Sequence, residues 1–251
     1  MLELERYLDE LAHQGRVLRT AASKCQLQTG IASCPGWTVE RLLGHITKVH
    51  SWAAAILRGV DHSTFEFSPP EPHQLFEVYD TGLAALLEHL RTAPPDLDVW
   101  TIVPAESATL FWARRQAHET AIHRVDAELA AGYGVQEFQA DFAADGIDEL
   151  LTVLAPRNFD SNGFCHGTSG DCQISLTPLD CNSSWTLSVG SNRLSCLAES
   201  VDNADLSVFG TVSDLYRWVW NRADDADVAL RGDLGLTDRW RQNFRVGARR
   251  K

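Results

Sequence analysis

The sequence lacks both an excess of positive charge and a long apolar run. Lys and Arg number 22 against 34 Asp and Glu in 251 residues, which gives a formal net charge of −12. Such a chain offers no broad positive field to a phosphate backbone or to anionic lipid, so we expect no nucleic-acid partner and no membrane partner. No apolar run approaches the ~18 residues needed to span a bilayer, and residues 1–6 lack the cationic start of a secretory signal. These absences predict a cytoplasmic protein.

Paired cysteine motifs are missing as well. The chain has six Cys residues but no Cys-x-x-Cys pair, so neither a redox motif nor a zinc knuckle is indicated. Without an export signal, the cysteines are expected to be reduced thiols rather than a disulfide framework. A metal or disulfide cluster stays open as the alternative for the four late cysteines, which are Cys165, Cys172, Cys181 and Cys196.

The apolar residues that are present predict a helical first half. They make up 44% of the chain, with eight Trp, which is enough for a buried core. Their spacing indicates four long amphipathic helices, with Thr38 as the N-cap of the second, and hence an antiparallel four-helix bundle. A fifth helix at 141–155 either packs on this bundle or leads out of it. The four helices are expected at residues 4–18, 39–59, 75–90 and 107–131.

The pattern changes after Pro156. Apolar and polar residues alternate with period two at 185–189, and further short extended runs follow at 206–209 and 228–230. A helix is expected to begin at Ser213. We therefore predict an α+β protein with two domains, a helical bundle at 1–156 and a smaller α+β domain at 157–251.

The fourth predicted helix carries candidate metal ligands. His118 and His123 are five residues apart, which rotates them by about 140° and excludes the His-Glu-x-x-His zinc-protease arrangement. Glu119 and His123 are four apart, so they share a helix face and could hold one metal ion. Arg115 and Asp126 extend that face. A solvated helix surface is the alternative interpretation of the same spacing.

The second predicted helix adds two histidines. His45 and His50 are also five residues apart, so at most one of them can point squarely at a given site. Their spacing does not choose between them. For each, the alternative is a core histidine whose ring nitrogens are satisfied by a carbonyl or a hydroxyl group.

Two segments carry a family resemblance. Residues 35–45 (PGWTVERLLGH) and 117–128 (AHETAIHRVDAE) resemble the mycothiol-dependent maleylpyruvate isomerase family, part of the DinB-like metalloenzyme group. Residues 209–222 and 230–233 resemble the C-terminal domain of that family, which is related in fold to sterol carrier proteins. The resemblance implies a DinB-like bundle followed by a sterol-carrier-like α+β domain.

The resemblance also implies site residues. It assigns His45, Glu119 and His123 as ligands of a catalytic divalent metal, expected to be zinc, and excludes His118 as a ligand. A position matching Arg222 binds the acidic substrate or the thiol, although a solvated arginine at a helix C-terminus is the alternative. Trp52 and His50 are expected to line the same binding pocket. Relatives often have His-Arg-Trp-Asp where this chain has His-Arg-Val-Asp at residues 123–126. Val125 replaces the tryptophan and is expected to reshape the pocket.

The implied function is a metal-dependent enzyme that activates mycothiol. Three protein ligands leave a tetrahedral zinc with one open position, as in catalytic sites. The thiol cofactor, rather than a protein cysteine, would then be the nucleophile for isomerisation of a small electrophile or for S-transfer to it. The alternatives are a non-catalytic protein that binds a small ligand and a hydrolase that uses zinc hydroxide.

Overall fold

The computed structural model describes residues 1–158, 164, 171–190 and 194–243. The chain divides into two compact units, Met1–Gln136 and Glu137–Lys251. In the described residues no helix is both long enough and apolar enough to cross a bilayer.

The first unit is the predicted four-helix bundle. Helix α1 packs on α3 and α4, and α2 packs on the same two helices. The predicted N-cap of the second helix is confirmed, because Thr38 Oγ1 accepts a hydrogen bond from the Arg41 amide. Ser107 Oγ accepts one from the Leu110 amide at the start of the fourth helix. Gly132, with φ of 74°, follows the last helix. The helices are α1 (Leu4–Ala22), α2 (Val39–Leu57), α3 (Leu75–Thr92) and α4 (Ala108–Ala130).

Helix α4 is buried over most of its circumference even though it is rich in charged residues. The other three helices bury an apolar face, but α4 also buries polar side chains, such as Arg115, Gln116, His118 and Asp126. A buried polar group is costly unless it is paired, so these side chains need partners within the bundle. The candidate site described below supplies several of those partners.

The second unit is a mixed sheet with helices. The strand order is β3-β2-β1-β4-β5; β1 and β4 run parallel, and the other neighbours are antiparallel. Helix α5 packs on α7, and α7 also contacts β1 and β4. The elements are α5 (Ala140–Glu149), a π-helical segment (Leu150–Leu154), α6 (Ala155–Asn158), β1 (Cys172–Pro178), β2 (Trp185–Val189), β3 (Leu194–Leu197), β4 (Leu206–Gly210), α7 (Val212–Val219), β5 (Ala229–Gly232) and α8 (Gly235–Asn243).

Contacts divide the chain after residue 136, because α5 packs on α7, and the domain boundary predicted at 156 stays a prediction. One expectation about the cysteines is corrected. Cys172 is disulfide-bonded, which corrects the expectation that all six cysteines are reduced. Cys165 lies outside the described residues. Among the described residues, Cys25, Cys34, Cys181 and Cys196 carry thiols.

Candidate metal centre

Three potential ligands converge where α2 packs on α4. His45 Nε2 lies 3.1 Å from Glu119 Oε1, and His123 Nε2 lies 3.5 Å from the same oxygen. One ligand atom from each side chain lies within 4.8 Å of the other two. Ligands bound to tetrahedral zinc at ~2.0–2.2 Å are separated by about 3.3 Å, which is close to the two measured distances. Two imidazoles and one carboxylate at this spacing therefore fit a single divalent ion.

The local sequence explains this convergence. Glu119 and His123 are one helical turn apart on α4, so both side chains leave the same face of the helix. His45 lies in the second turn of α2, and its ring centroid is 5.0 Å from that of His123, in an edge-to-face arrangement. Both helices are long and capped at the N-terminus, which places the three side chains on a rigid support.

Glu119 is held in place by a buried arginine. Arg115 Nη2 donates to Glu119 Oε2 over 3.1 Å, and the Arg115 side chain is only 5% exposed. Burial alone would raise the pKa of Glu119, but hydrogen bonds from His123 and His45 and the charge of Arg115 lower this pKa well below its ordinary value. Glu119 is therefore a carboxylate at neutral pH, the form that binds a cation.

His123 is oriented by a second carboxylate. Its Nδ1 lies 2.8 Å from Asp126 Oδ2, and Asp126 is fully buried. Asp126 also accepts hydrogen bonds from Ser33 Oγ and, over 3.6 Å, from Cys34 Sγ. With Nδ1 directed to Asp126, the Nε2 atom of His123 faces Glu119, which is the usual carboxylate–histidine–metal arrangement. Burial opposes protonation of His123, but the hydrogen bonds to Asp126 and Glu119 raise its pKa.

Trp37 covers the two histidines. Its ring stacks on that of His123, with centroids 5.8 Å apart and planes 13° apart, and its centroid is 5.0 Å from that of His45. The sequence alone assigns no role to Trp37 beyond its place in the family motif. A usable signal was its position directly before Thr38, the N-cap of the helix that carries His45. Ser33, Cys34 and the contact between Asp126 and His123 were missed as well.

His50 and His118 belong to neither set of potential ligands in the described residues. His50 is fully buried, and its Nε2 lies 2.9 Å from Thr120 Oγ1. Burial lowers the pKa of His50 to about 3, so the ring is neutral. Its Nδ1 is buried without a hydrogen-bond partner in the described part of the chain, so only one of the two ring nitrogens is satisfied, and the role of His50 stays a prediction. His118 is also fully buried, and its ring lies edge-on to Tyr7 at 6.3 Å.

The remaining predicted binding residues are Trp52 and Arg222, and their roles stay predictions. Trp52 packs against Trp100 and Trp112, with centroids 5.6 and 5.2 Å away, and donates a hydrogen bond to the His62 carbonyl. Arg222 belongs to the second unit and donates to the Trp220 carbonyl over 2.7 Å.

Val125 is fully buried, so the departure from the family motif lies in the packed interior. At two positions after His123 on α4, it points about 200° away from that side chain. The expectation that Val125 reshapes the pocket stays a prediction.

Comparison with known proteins identifies the family of the chain. A family model described as the mycothiol maleylpyruvate isomerase N-terminal domain matches residues 8–128, and the model of the C-terminal domain of the same family matches residues 141–239. The chain belongs to the mycothiol maleylpyruvate isomerase family. The prediction of this family from residues 35–45 and 117–128 is therefore confirmed. Among curated proteins, no sequence matches the chain.

Two solved structures share the fold. The mycothiol-dependent maleylpyruvate isomerase matches with a TM-score of 0.62 and 15% identity, over 91% of this chain and 93% of that chain. A histidine-to-alanine mutant of the mycothiol-dependent maleylpyruvate isomerase matches with a TM-score of 0.63 and 14% identity, over the same shares of the two chains. At this identity the matches establish the fold, and they confirm the predicted α+β class with its DinB-like bundle.

Proposed function

We propose that this protein is a metal-dependent enzyme that uses mycothiol as a thiol cofactor or co-substrate and acts on a small electrophile. The observation that carries the proposal is the meeting of His45, Glu119 and His123 at distances that suit one divalent ion. Membership of the mycothiol maleylpyruvate isomerase family supports the thiol and favours isomerisation as the reaction. S-transfer would need the same three ligands.

The ligand set suggests what the metal would contribute. A divalent cation held by three protein ligands, zinc in our proposal, retains a coordination position for a thiol and favours its thiolate form near neutral pH. The protein's own groups prepare that position. Arg115 keeps the Glu119 carboxylate charged and oriented, and Asp126 directs His123 so that Nε2 remains a ligand atom.

The surroundings of the ligands restrict access by water. The ring of Trp37 lies against both imidazoles, and the His123 side chain is only 10% exposed, whereas that of His45 is 30% exposed. The thiol and the electrophile would therefore approach from the side of His45. Arg222 and Trp52 stay proposals for binding the thiol or the substrate. The full burial of His50 favours a packing role over contact with a ligand.

The first test measures bound metal. We expect His45→Ala, Glu119→Ala and His123→Ala, each made in a Cys34→Ser background so that a neighbouring protein thiol cannot hold the ion, to lower the metal content from about one ion per chain to a small fraction of that, as determined by elemental analysis. His73→Ala is the matched control, because His73 is exposed and lies outside the centre. If all three ligand variants keep one equivalent of metal, the proposed centre is wrong.

The second test identifies the reaction. The metal-loaded protein is incubated with mycothiol and a panel of electrophiles that includes maleylpyruvate, and isomers and thiol adducts are followed by chromatography and mass spectrometry. We expect turnover that requires both the metal and mycothiol. Turnover without any thiol would favour a zinc-hydroxide hydrolase, whereas absence of both metal and mycothiol binding in calorimetry would favour a non-catalytic binding protein.

A further inference from the structure

A second set of potential ligands lies on the other side of the His123 ring. Asp126 Oδ2 is 2.8 Å from His123 Nδ1 and 3.6 Å from Cys34 Sγ. One ligand atom each from Cys34, His123 and Asp126 lies within 4.8 Å of the other two. The set combines a thiol, an imidazole and a carboxylate, which are the three ligand types that bind zinc in proteins.

The distances between these ligand atoms suit a tetrahedral ion if the side chains of His123 and Asp126 move slightly apart. Bond lengths of ~2.3 Å to sulfur and ~2.0 Å to oxygen place those two ligand atoms about 3.5 Å apart, close to the measured 3.6 Å. The distance between His123 Nδ1 and Asp126 Oδ2 would have to increase by about half an ångström.

The surroundings of these residues also suit a cation. Ser33 Oγ donates to Asp126 Oδ1, which leaves Oδ2 directed to His123 and Cys34. Cys34 is half-buried, so an ion can enter from its side of the set. A thiolate and a carboxylate together would balance the charge of a divalent cation.

We propose that Cys34, His123 and Asp126 form a secondary site for a thiophilic divalent cation such as Zn²⁺ or Cd²⁺. This site goes beyond the proposed function, because it uses Nδ1 of His123 and a protein thiol that the thiol chemistry does not require. When the ion binds, the Cys34 thiol releases its proton to solvent. His123 Nδ1 also gives up its proton: a protonated ring loses it to solvent, whereas a neutral ring takes its single proton to Nε2, where Glu119 Oε1 lies 3.5 Å away.

The two sites would therefore compete for His123. A neutral imidazole offers one lone pair, so His123 can bind a cation through Nε2 or through Nδ1, but not through both. An ion at the secondary site removes His123 from the set that also contains His45 and Glu119. Excess zinc should accordingly inhibit the enzyme, and the inhibition should depend on Cys34.

The test uses cadmium, because a thiolate–Cd²⁺ bond has a charge-transfer absorption in the ultraviolet that imidazole and carboxylate ligands do not give. The full-length protein is titrated with Cd²⁺ beyond one equivalent. We expect the band in the unmodified chain and its loss in Cys34→Ser. Cys25→Ser is the matched control, because Cys25 is another half-buried thiol and belongs to neither ligand set. It should keep the band.

A further variant separates this proposal from the proposed function. His45→Ala removes one ligand of the first set and leaves the secondary set intact, so the Cys34-dependent band should persist and should develop from the first equivalent of Cd²⁺. A band of unchanged intensity in Cys34→Ser would overturn the secondary site, and so would its absence from both the unmodified chain and His45→Ala. A failure to bind mycothiol would count against the proposed function alone.

Discussion

Asp126 has no exposed surface and accepts hydrogen bonds from residues that are more than 90 positions away in the chain. We expect Asp126→Asn to weaken zinc binding at the first set of ligands by about 10–100-fold, because the amide orients the His123 ring less firmly than a carboxylate does. The affinity is measured by competition with a chelator in a Cys34→Ser background, so that the secondary site does not contribute.

Ser33→Ala is the companion variant for this prediction. It removes one hydrogen bond to Asp126 but leaves the contact between Asp126 and His123 in place. Its effect on zinc affinity should therefore be smaller than that of Asp126→Asn. Equal affinities in Asp126→Asn and the parent protein would show that His123 is oriented by packing, for which the ring of Trp37 is the available neighbour.

His50 predicts a specific pH dependence of stability. Burial lowers its folded-state pKa from 6.5 to about 3, so between these values the unfolded chain binds a proton that the folded chain does not. The free energy of unfolding should therefore fall as the pH decreases from 6.5 towards 3, by up to about 1.4 kcal/mol per pH unit from this group. In His50→Gln the slope, measured by urea denaturation at several pH values, should be smaller.

His73→Gln is the matched control for the pH dependence, since His73 is exposed. It should keep the slope of the parent protein. The comparison of slopes does not depend on how much His50→Gln destabilises the protein at a single pH. Identical slopes in His50→Gln and the parent protein would contradict the prediction and would mean that other groups dominate acid destabilisation in this range.

Part of the candidate centre can be predicted from the sequence. The spacing of Glu119 and His123 placed them on one helix face, which follows from helix geometry alone. It could not choose between His45 and His50, because that choice depends on how α2 is rotated about its axis against α4. The contacts of Asp126 with Ser33 and Cys34 join residues that only the folded chain brings together.

The N-terminus of α2 lies next to the candidate metal centre. Thr38 caps this helix, while Trp37 immediately before it covers the two imidazoles. We expect Thr38→Ala to lower the free energy of unfolding by about 1 kcal/mol, because the Arg41 amide loses its side-chain acceptor. Urea denaturation measures the loss. Thr38→Ser should retain most of the stability, since serine offers the same hydroxyl. An equal loss in both variants would point to methyl packing instead of capping.

The helices were easier to predict than the sheet. The second and fourth helices, expected at 39–59 and 107–131, are observed as Val39–Leu57 and Ala108–Ala130, because apolar spacing and capping residues mark such long elements. Strand β1 and helix α8 were not predicted. Strand β1 pairs in parallel with β4 and antiparallel with β2, so its place in the sheet depends on distant partners. The run at 185–189 is strand β2, as its alternation predicted.

The two compact units of the chain differ in the functional residues that they contain. All residues of both candidate metal-binding sets lie within Met1–Gln136. The sequence suggested a boundary at 156 because the composition changes there, and it left open whether the fifth helix packs on the bundle. Composition marks where loops and strands begin, whereas a domain boundary depends on which apolar faces meet. The buried residues Phe142 and Ile147 lie on α5, which packs on α7 in the second unit.

The boundary has a testable consequence for fragments of the chain. A fragment of residues 1–136 should show the helical circular dichroism of a folded bundle and should bind the same number of metal ions as the full-length protein. A fragment of residues 1–156 should bind metal as well, but it carries α5 without α7 and therefore exposes Phe142, Ile147 and Leu151. We expect it to bind a hydrophobic dye more strongly and to aggregate more readily. If 1–156 were instead the well-behaved fragment and 1–136 failed to fold, the fifth helix would be part of the bundle and the boundary at 156 would hold.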